Sequence, residues 1–302
     1  MTATPLLATP TAFDSTDGPV PCVDLVRGAA RARVALQGAQ VLSWVPARGG
    51  ERLFLGAATR YGAGRGIRAG IPVIFPQFAD QGPLVRHGWA RTSDWTFLGI
   101  ENSGGEPLAV FALGDDAASR AQWPHRYALR LHVGLDGDTL TVALDVRNPG
   151  DAPFDFACAL HSYLRVATLA TTRLDGVAGH GFVDRNSGET RIDPEPSPRF
   201  DREVDRTYLG CSGLRMLSDG DATLRIETTG FGDTVVWNPG VALVAGLADL
   251  APGEHEHFVC VEPACVAPRI TLAANEAWRG TLRMTAANDG LQMSACDASA
   301  LS

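Results

Sequence analysis

Apolar and polar residues alternate with a period of two along many short stretches of this chain. The clearest lie within residues 32–36, 41–45, 129–133, 139–146, 222–228, 234–237, 257–261 and 280–285. That period sends successive side chains to opposite faces of a strand. Gly, Asp, Asn or Pro separates many of the runs, and Asp136-Gly137 between two of them reads as a hairpin turn. Helical periodicity is nearly absent. Strands spaced this way over 302 residues predict an all-β protein, a large antiparallel β-sandwich with few short helices. No linker, low-complexity block or internal repeat interrupts the pattern. Residues 1–302 are therefore expected to form a single domain, with 1–14 and 288–302 as loose tails. The Pro-rich stretch 191–198 reads as an extended surface loop.

Two of the apolar runs each contain a titratable residue. His161 stands in Phe156-Ala-Cys-Ala-Leu-His-Ser-Tyr-Leu-Arg-Val166, and Glu262 in His257-Phe-Val-Cys-Val-Glu-Pro263. Desolvation in such a run shifts a pKa and makes an unpaired charge costly. If both faced one cleft they would form a proton-transfer pair. From the residues alone, His161 also reads as a core histidine bonded to backbone. Glu262 is harder to explain that way, because a carboxylate at the end of an apolar run needs a partner or a function.

The polar chemistry is densest over residues 64–95. Arg65, Arg68, Arg86 and Arg91, with His87, Trp89 and Trp95, sit there among glycines and prolines. Arginine offers a planar donor fork, tryptophan an apolar face, and glycine lets backbone approach a ligand. The segment reads equally as a site for a small polar anion or as a structural loop whose arginines pair with local acids such as Asp80 and Asp94. His87, beside Arg86, is expected to stay neutral.

Composition narrows the classes. The chain is 45% hydrophobic and 20% charged, enough for a sizeable core. A net charge of −8 argues against nucleic-acid or anionic-membrane partners. No apolar run reaches about 18 residues, so no membrane span is expected. The N-terminus lacks the basic and long apolar regions of a signal peptide. All 26 basic residues are arginine, which excludes a lysine Schiff base and a Walker lysine. Six scattered cysteines form no close CxxC pair, so a reducing cytoplasm is the default expectation. His255 and His257 flank Glu256 without a third ligand at metal-site spacing. They read as a solvated strand edge, and no metal is expected. No GxGxxG, GxSxG or HExxH motif is present.

Six motifs in order give the chain a familiar look: residues 67–78, His87-Gly-Trp-Ala-Arg-Thr-Ser-Asp-Trp95, Ala159-Leu-His-Ser-Tyr163, Glu203-Val-Asp-Arg-Thr-Tyr208, Val236-Trp-Asn-Pro239, and Cys260-Val-Glu262 with Trp278 downstream. With them the chain resembles the aldose 1-epimerase (galactose mutarotase-like) superfamily over roughly residues 15 to 286. The likeness is greatest to its glucose-6-phosphate 1-epimerase, or hexose-6-phosphate mutarotase, branch. The resemblance implies an open cleft, no cofactor, and interconversion of the α and β anomers of a hexose 6-phosphate, glucose 6-phosphate foremost. It implies His161 as general acid and Glu262 as general base. Arg68, Arg91 and Asp205 match substrate-binding residues, and His87 matches the histidine of an HGxAR segment. Position 86, often Gln in relatives, is Arg86 here and either strengthens the anion site or points away. Ala69 replaces a glycine and adds a methyl near the ligand loop. The chemistry calls for a carboxylate and an imidazolium together, each expected to support the other. The implied partner is a small-molecule sugar phosphate, and the implied assembly a monomer or weak homodimer. Two alternatives stay open: the same reaction on an unphosphorylated aldose, and a non-catalytic carbohydrate-binding sandwich.

Overall fold

A computed structural model describes residues 4–288 apart from Asp221. These residues are dominated by antiparallel strands in three sheets. The N-terminal sheet is a meander of Leu7–Ser15, Gly18–Arg27, Ala30–Ala35 and Gln40–Val45. The back sheet has eight strands, from Thr172–Asp175 at one edge to Thr96–Ser103 at the other. Its centre is Ala277–Asn288 between Ala222–Thr229 and Thr139–Arg147. The third, or site, sheet runs in the order Thr190–Ile192, Gly181–Asp184, Val204–Tyr208, Asp233–Asn238, Phe258–Leu272, Phe154–Leu160 and Val73–Ile74. Tyr163–Arg165 also pairs with Phe258–Leu272. The helices among the described residues are short, as in Ala117–Gln122 and Gly240–Val244, and none is long and apolar enough to cross a membrane.

One hydrophobic cluster draws on all three sheets, with Val23 and Val34 from the first, Leu131 and Leu282 from the second, and Phe156 and Val261 from the third. Strand parity then decides what faces away from that core. Along Phe258–Leu272, Val259, Val261 and Cys265 enter the main cluster, whereas Phe258, Cys260 and Ala264 join smaller clusters on the opposite face. Along Phe154–Leu160, Phe156, Cys158 and Leu160 face the core, and Ala157 and Ala159 face the other way. That second face is covered in part by the loops of residues 64–95. Both faces of the central strands are therefore buried, which explains their nearly continuous apolar sequence.

Two expectations need correction here. Residues 7–14 are no loose tail: Leu7–Ser15 pairs with the next strand along its whole length, from Leu7↔Val26 to Ser15↔Gly18. It is an edge strand, mostly exposed and carrying Pro10, so its sequence has no apolar alternation. Its backbone ladder and the tight turn at Gly18 (φ 109°) define it. At the other end, Asn288 closes the last strand opposite Ala222, and residues 289–302 lie outside the described residues. Second, His255 and His257 do not alternate on a strand. Glu254–His257 is a 3₁₀ turn that buries His255 and exposes His257.

Candidate active site

His161, Glu262, Arg68, Arg86, His87, Arg91 and Asp205 all border one cavity of about 550 Å³ on the covered face of the site sheet. A larger depression of about 770 Å³ lies elsewhere, lined in part by exposed Glu195, Arg199 and Arg202. It holds no buried acid–base pair.

Register builds the cavity floor. Asp205 stands opposite Trp237, Trp237 opposite Cys260, and Cys260 opposite Tyr163. Residues directly opposite in antiparallel strands share a face, so this row crosses four strands and brings Asp205, Trp237 and Tyr163 to the cavity, with Cys260 fully buried between them. Glu262, two residues beyond Cys260, heads the neighbouring row opposite Val235. His161 occupies the joint between Phe154–Leu160 and Tyr163–Arg165, where its backbone N–H donates to Pro72 O at 2.9 Å. Its imidazole stacks on the Tyr163 ring, with centroids 4.8 Å apart and planes at 8°.

His161 Nδ1 and Glu262 Oε1 are 3.3 Å apart. They are close enough for an ion pair but not aligned for a hydrogen bond, and His161 Nδ1 and Glu262 Oε2 have no hydrogen-bond partner. Relative exposures are 8% for His161 and 1% for Glu262, so neither is bathed in water. Burial holds the His161 imidazole down to about 3, helped by the guanidinium charges of Arg91 and Arg68. Burial pushes the Glu262 carboxyl well up, reinforced by the charge of Asp205. Desolvation and the arginine charges thus oppose the expected mutual support of imidazolium and carboxylate. A neutral imidazole–carboxylic acid pair and an imidazolium–carboxylate pair hold the same single proton, so the two differ only in where it sits.

The arginines differ in what already occupies them. Arg68 Nε lies 3.0 Å from both carboxylate oxygens of Asp249, with Nη1 3.3 Å from the Tyr163 hydroxyl and the guanidinium over Trp237. Arg86 is exposed and bound to Asp80, one of the local acids expected to compete for it. Among the described residues, Arg91 has no carboxylate partner. Its Nη2 donates to Arg86 O at 3.3 Å, and its buried Nε is unpaired. A Cβ at Gly66 would lie 3.1 Å from Arg91 Cζ, so the glycine leaves room for that guanidinium. His87 and Gly88 both have positive φ, 66° and 65°. A Cβ at Gly88 would lie 2.0 Å from Phe75 O, so the corner requires glycine there. His87 Nδ1 accepts from Ala79 N–H at 3.2 Å, which leaves the proton on Nε2. Burial, with the guanidinium charges of Arg91 and Arg86, keeps this ring neutral, as expected.

Other residues on the cavity were not singled out from sequence. Arg185 Nε lies 3.6 Å from Asp205 Oδ1, and its guanidinium sits over Phe78. Burial raises Asp205 to about 6, against the pull of Arg185. Tyr163, Trp237 and Glu203 also line the cavity. All three fell within recognised motifs, whereas Arg185 fell in none. The aromatic face expected of Trp89 and Trp95 is supplied instead by Trp237. Trp89 and Trp95 are core residues whose Nε1 atoms donate to Tyr127 Oη (2.8 Å) and Ala90 O (2.9 Å). The extra methyl of Ala69 packs with Ile67 and Leu42 and does not reach the cavity.

The family model for aldose 1-epimerase matches residues 21–285. The chain belongs to the aldose 1-epimerase family. Among its curated relatives, a Cenchrus ciliaris protein named "Putative glucose-6-phosphate 1-epimerase" is 33% identical over 279 residues, covering 87% of this chain and 84% of that one. An Escherichia coli K12 protein of the same name is 32% identical over 240 residues, covering 78% and 79%. Among solved structures, a "putative mutarotase (YeaD)" from Salmonella typhimurium superposes with a TM-score of 0.83 at 25% identity, covering 94% of this chain and 97% of that one. As an aldose 1-epimerase family member the chain is an isomerase, and its sandwich is the galactose mutarotase-like fold.

Proposed function

We propose that this protein interconverts the α and β anomers of a hexose 6-phosphate, glucose 6-phosphate foremost, with His161 and Glu262 moving the protons. The observation that carries the reading is a buried acid–base pair at 3.3 Å on the same cavity as Arg91, a guanidinium without a carboxylate partner among the described residues. A phosphate is the natural counter-charge for it. The names of the relatives point to the same substrate class.

The guanidinium charges beside the pair give a substrate phosphate a way to start the reaction. The positive charges of Arg91 and Arg68 hold the His161 imidazole neutral. A phosphate dianion beside them cancels part of that field and favours the imidazolium–carboxylate form of the pair. Glu262 then takes the proton of the anomeric hydroxyl while His161 gives its own to the ring oxygen. The bond from C1 to the ring oxygen breaks and a C1 carbonyl forms. Rotation about C1–C2 presents the other carbonyl face. Closure returns one proton to His161 from the new hydroxyl and one from Glu262 to the carbonyl oxygen, leaving the pair as it began. Asp205, Arg68 and His87 would fix sugar hydroxyls, and holding the ring within hydrogen-bond reach of both groups supplies the positioning.

The core cluster common to all three sheets supports a single working domain. The net charge of −8 supports a small-molecule ligand over nucleic acid or an anionic membrane. On this reading the protein acts in the cytoplasm as a monomer or weak homodimer. The test is a coupled assay on freshly dissolved α-glucose 6-phosphate with an excess of a β-specific dehydrogenase. The protein should abolish the slow phase set by spontaneous mutarotation. An unchanged slow phase at micromolar protein would overturn the assignment.

A further inference from the structure

Behind the acid–base pair sits a thiol that the proposed reaction does not use. Cys260 lies two residues before Glu262 on one strand, so both side chains leave the same face. Across the ladder it stands opposite Tyr163, two residues after His161. Among the described residues, the donor atoms of His161, Cys260 and Glu262 all lie within 4.8 Å of one another. Their relative exposures are 8%, 0% and 1%. His161 Nδ1 and Glu262 Oε2 are buried without hydrogen-bond partners. Buried polar atoms in folded proteins are nearly always paired. Here two unpaired ones occur together, on two of three side chains that offer an imidazole nitrogen, a thiol sulfur and a carboxylate oxygen.

We propose that these three side chains form a binding site for a borderline-soft divalent cation, Zn²⁺ foremost, and that an ion held there competes with the sugar and silences the acid–base pair. The binding stands on the geometry alone; the silencing rests on the roles proposed above for His161 and Glu262. Tetrahedral zinc takes N, S and O donors at about 2.0–2.3 Å, which puts donors about 3.5 Å apart. The His161–Glu262 contact of 3.3 Å already has that spacing. The remaining donors, within 4.8 Å of one another, need to close by no more than about 1.3 Å to reach that spacing. The donor set selects against Mg²⁺ and Ca²⁺, which require shells of oxygen.

His161 and Glu262 border the cavity and Cys260 does not, so the fourth coordination position faces the sugar's place. Charge is the main opposing force, because Arg68, Arg91 and Arg185 also face the cavity. Thiolate and carboxylate together cancel the two charges of the ion, and both ligands must release their protons to bind it. An ion so held occupies the carboxylate lone pairs that would accept the anomeric proton. The ion acts as an inhibitor of the reaction and not as its cofactor.

Co²⁺ is the probe for binding, because a thiolate ligand gives it a charge-transfer band in the near ultraviolet. The intact protein should develop that band, saturating at one equivalent and lost on adding Zn²⁺. Cys260→Ala should lack it. Glu262→Gln, which keeps the thiol, should bind Co²⁺ at least about tenfold more weakly, the loss expected for one charged ligand. In the anomer-exchange assay, Zn²⁺ should inhibit the wild type and EDTA should restore it. Cys260→Ala should keep its basal rate and need about tenfold more Zn²⁺ for the same inhibition. Absence of the band at millimolar Co²⁺, or a band that survives Cys260→Ala, would overturn the site. Equal Zn²⁺ sensitivity of the wild type and Cys260→Ala would overturn the inhibition. If the protein exchanged no anomers at all, the cobalt band would still decide the site, so the two readings fail separately.

Discussion

Glu262 and Asp205 stand on central strands and His161 in a two-residue joint between strands, whereas Arg68, Arg86 and Arg91 stand on the turns of residues 64–95. Glu262 and Asp205 are placed by ladder register and face parity, which also put Trp237 and Tyr163 beside them, and His161 is held by its backbone bond to Pro72 and its stack on Tyr163. The second group is placed by local contacts, and each arginine finds a different one: Asp249 for Arg68, Asp80 for Arg86, a backbone carbonyl for Arg91. Sheet geometry fixes a pair to a few tenths of an ångström, which proton transfer needs. Loop geometry leaves charges to be sorted by their neighbours, so residue type alone does not reveal which arginine is free to take an anion. The floor should therefore govern turnover and the rim affinity.

The largest test of that division is Glu262→Gln, which keeps shape and removes the base. Anomer exchange should fall by about 10³-fold with KM little changed. A loss below tenfold would break the comparison, because the floor would no longer carry the chemistry. Next comes Arg91→Ala. It should raise KM for glucose 6-phosphate by roughly 10–100-fold, the worth of one or two charge-assisted hydrogen bonds, with a smaller effect on kcat. A fall in kcat with unchanged KM would move Arg91 from rim to floor.

Gly88→Ala probes the loop corner itself. The added Cβ meets Phe75 O at a positive φ, so thermal unfolding should shift by the equivalent of about 2–4 kcal/mol. A shift under about 0.5 kcal/mol would mean the turn adapts freely.

A smaller effect should appear in the pH dependence of stability. Burial raises Asp205 to about 6 from an ordinary value of 3.8, so folding favours its protonated form. Its contribution is intact below about pH 4 and is lost as pH rises through 6. Relative to Asp205→Asn, the wild type should lose roughly 2–3 kcal/mol across that window. Parallel stability curves for the two proteins would contradict the buried placement.

The smallest expected change is that of Arg86→Ala. The side chain is exposed and paired with Asp80, so KM for the phosphorylated sugar should move by less than about threefold. A tenfold rise would show that Arg86 leaves Asp80 for the ligand.

Sequence pattern reached the floor more easily than the rim. Glu262 and His161 were legible because a strand buried on both faces reads as an apolar run, against which one ionisable side chain stands out. The first strand was not legible: an exposed edge needs no apolar alternation, and Leu7–Ser15 shows little. Arg185 was missed for a related reason. It follows Gly181–Asp184 in a polar turn, and it meets Asp205 only because Asp184 pairs with Arg206 across the sheet. Trp89 and Trp95 misled because a tryptophan in a glycine-rich loop serves a ligand or a core equally well, and only tertiary packing separates the two uses. The protonation of the central pair was also beyond the pattern, since it depends on guanidinium groups that the fold brings up from the rim.

The most direct test of the account is magnetisation-transfer NMR of anomer exchange, with glucose 6-phosphate and glucose compared in the same wild-type sample and again with Arg91→Ala. The account predicts strong acceleration for the phosphate over glucose in the wild type at subsaturating sugar, and near-equal rates once Arg91 is removed. Equal acceleration of both sugars by the wild type, or no acceleration of either, would contradict it.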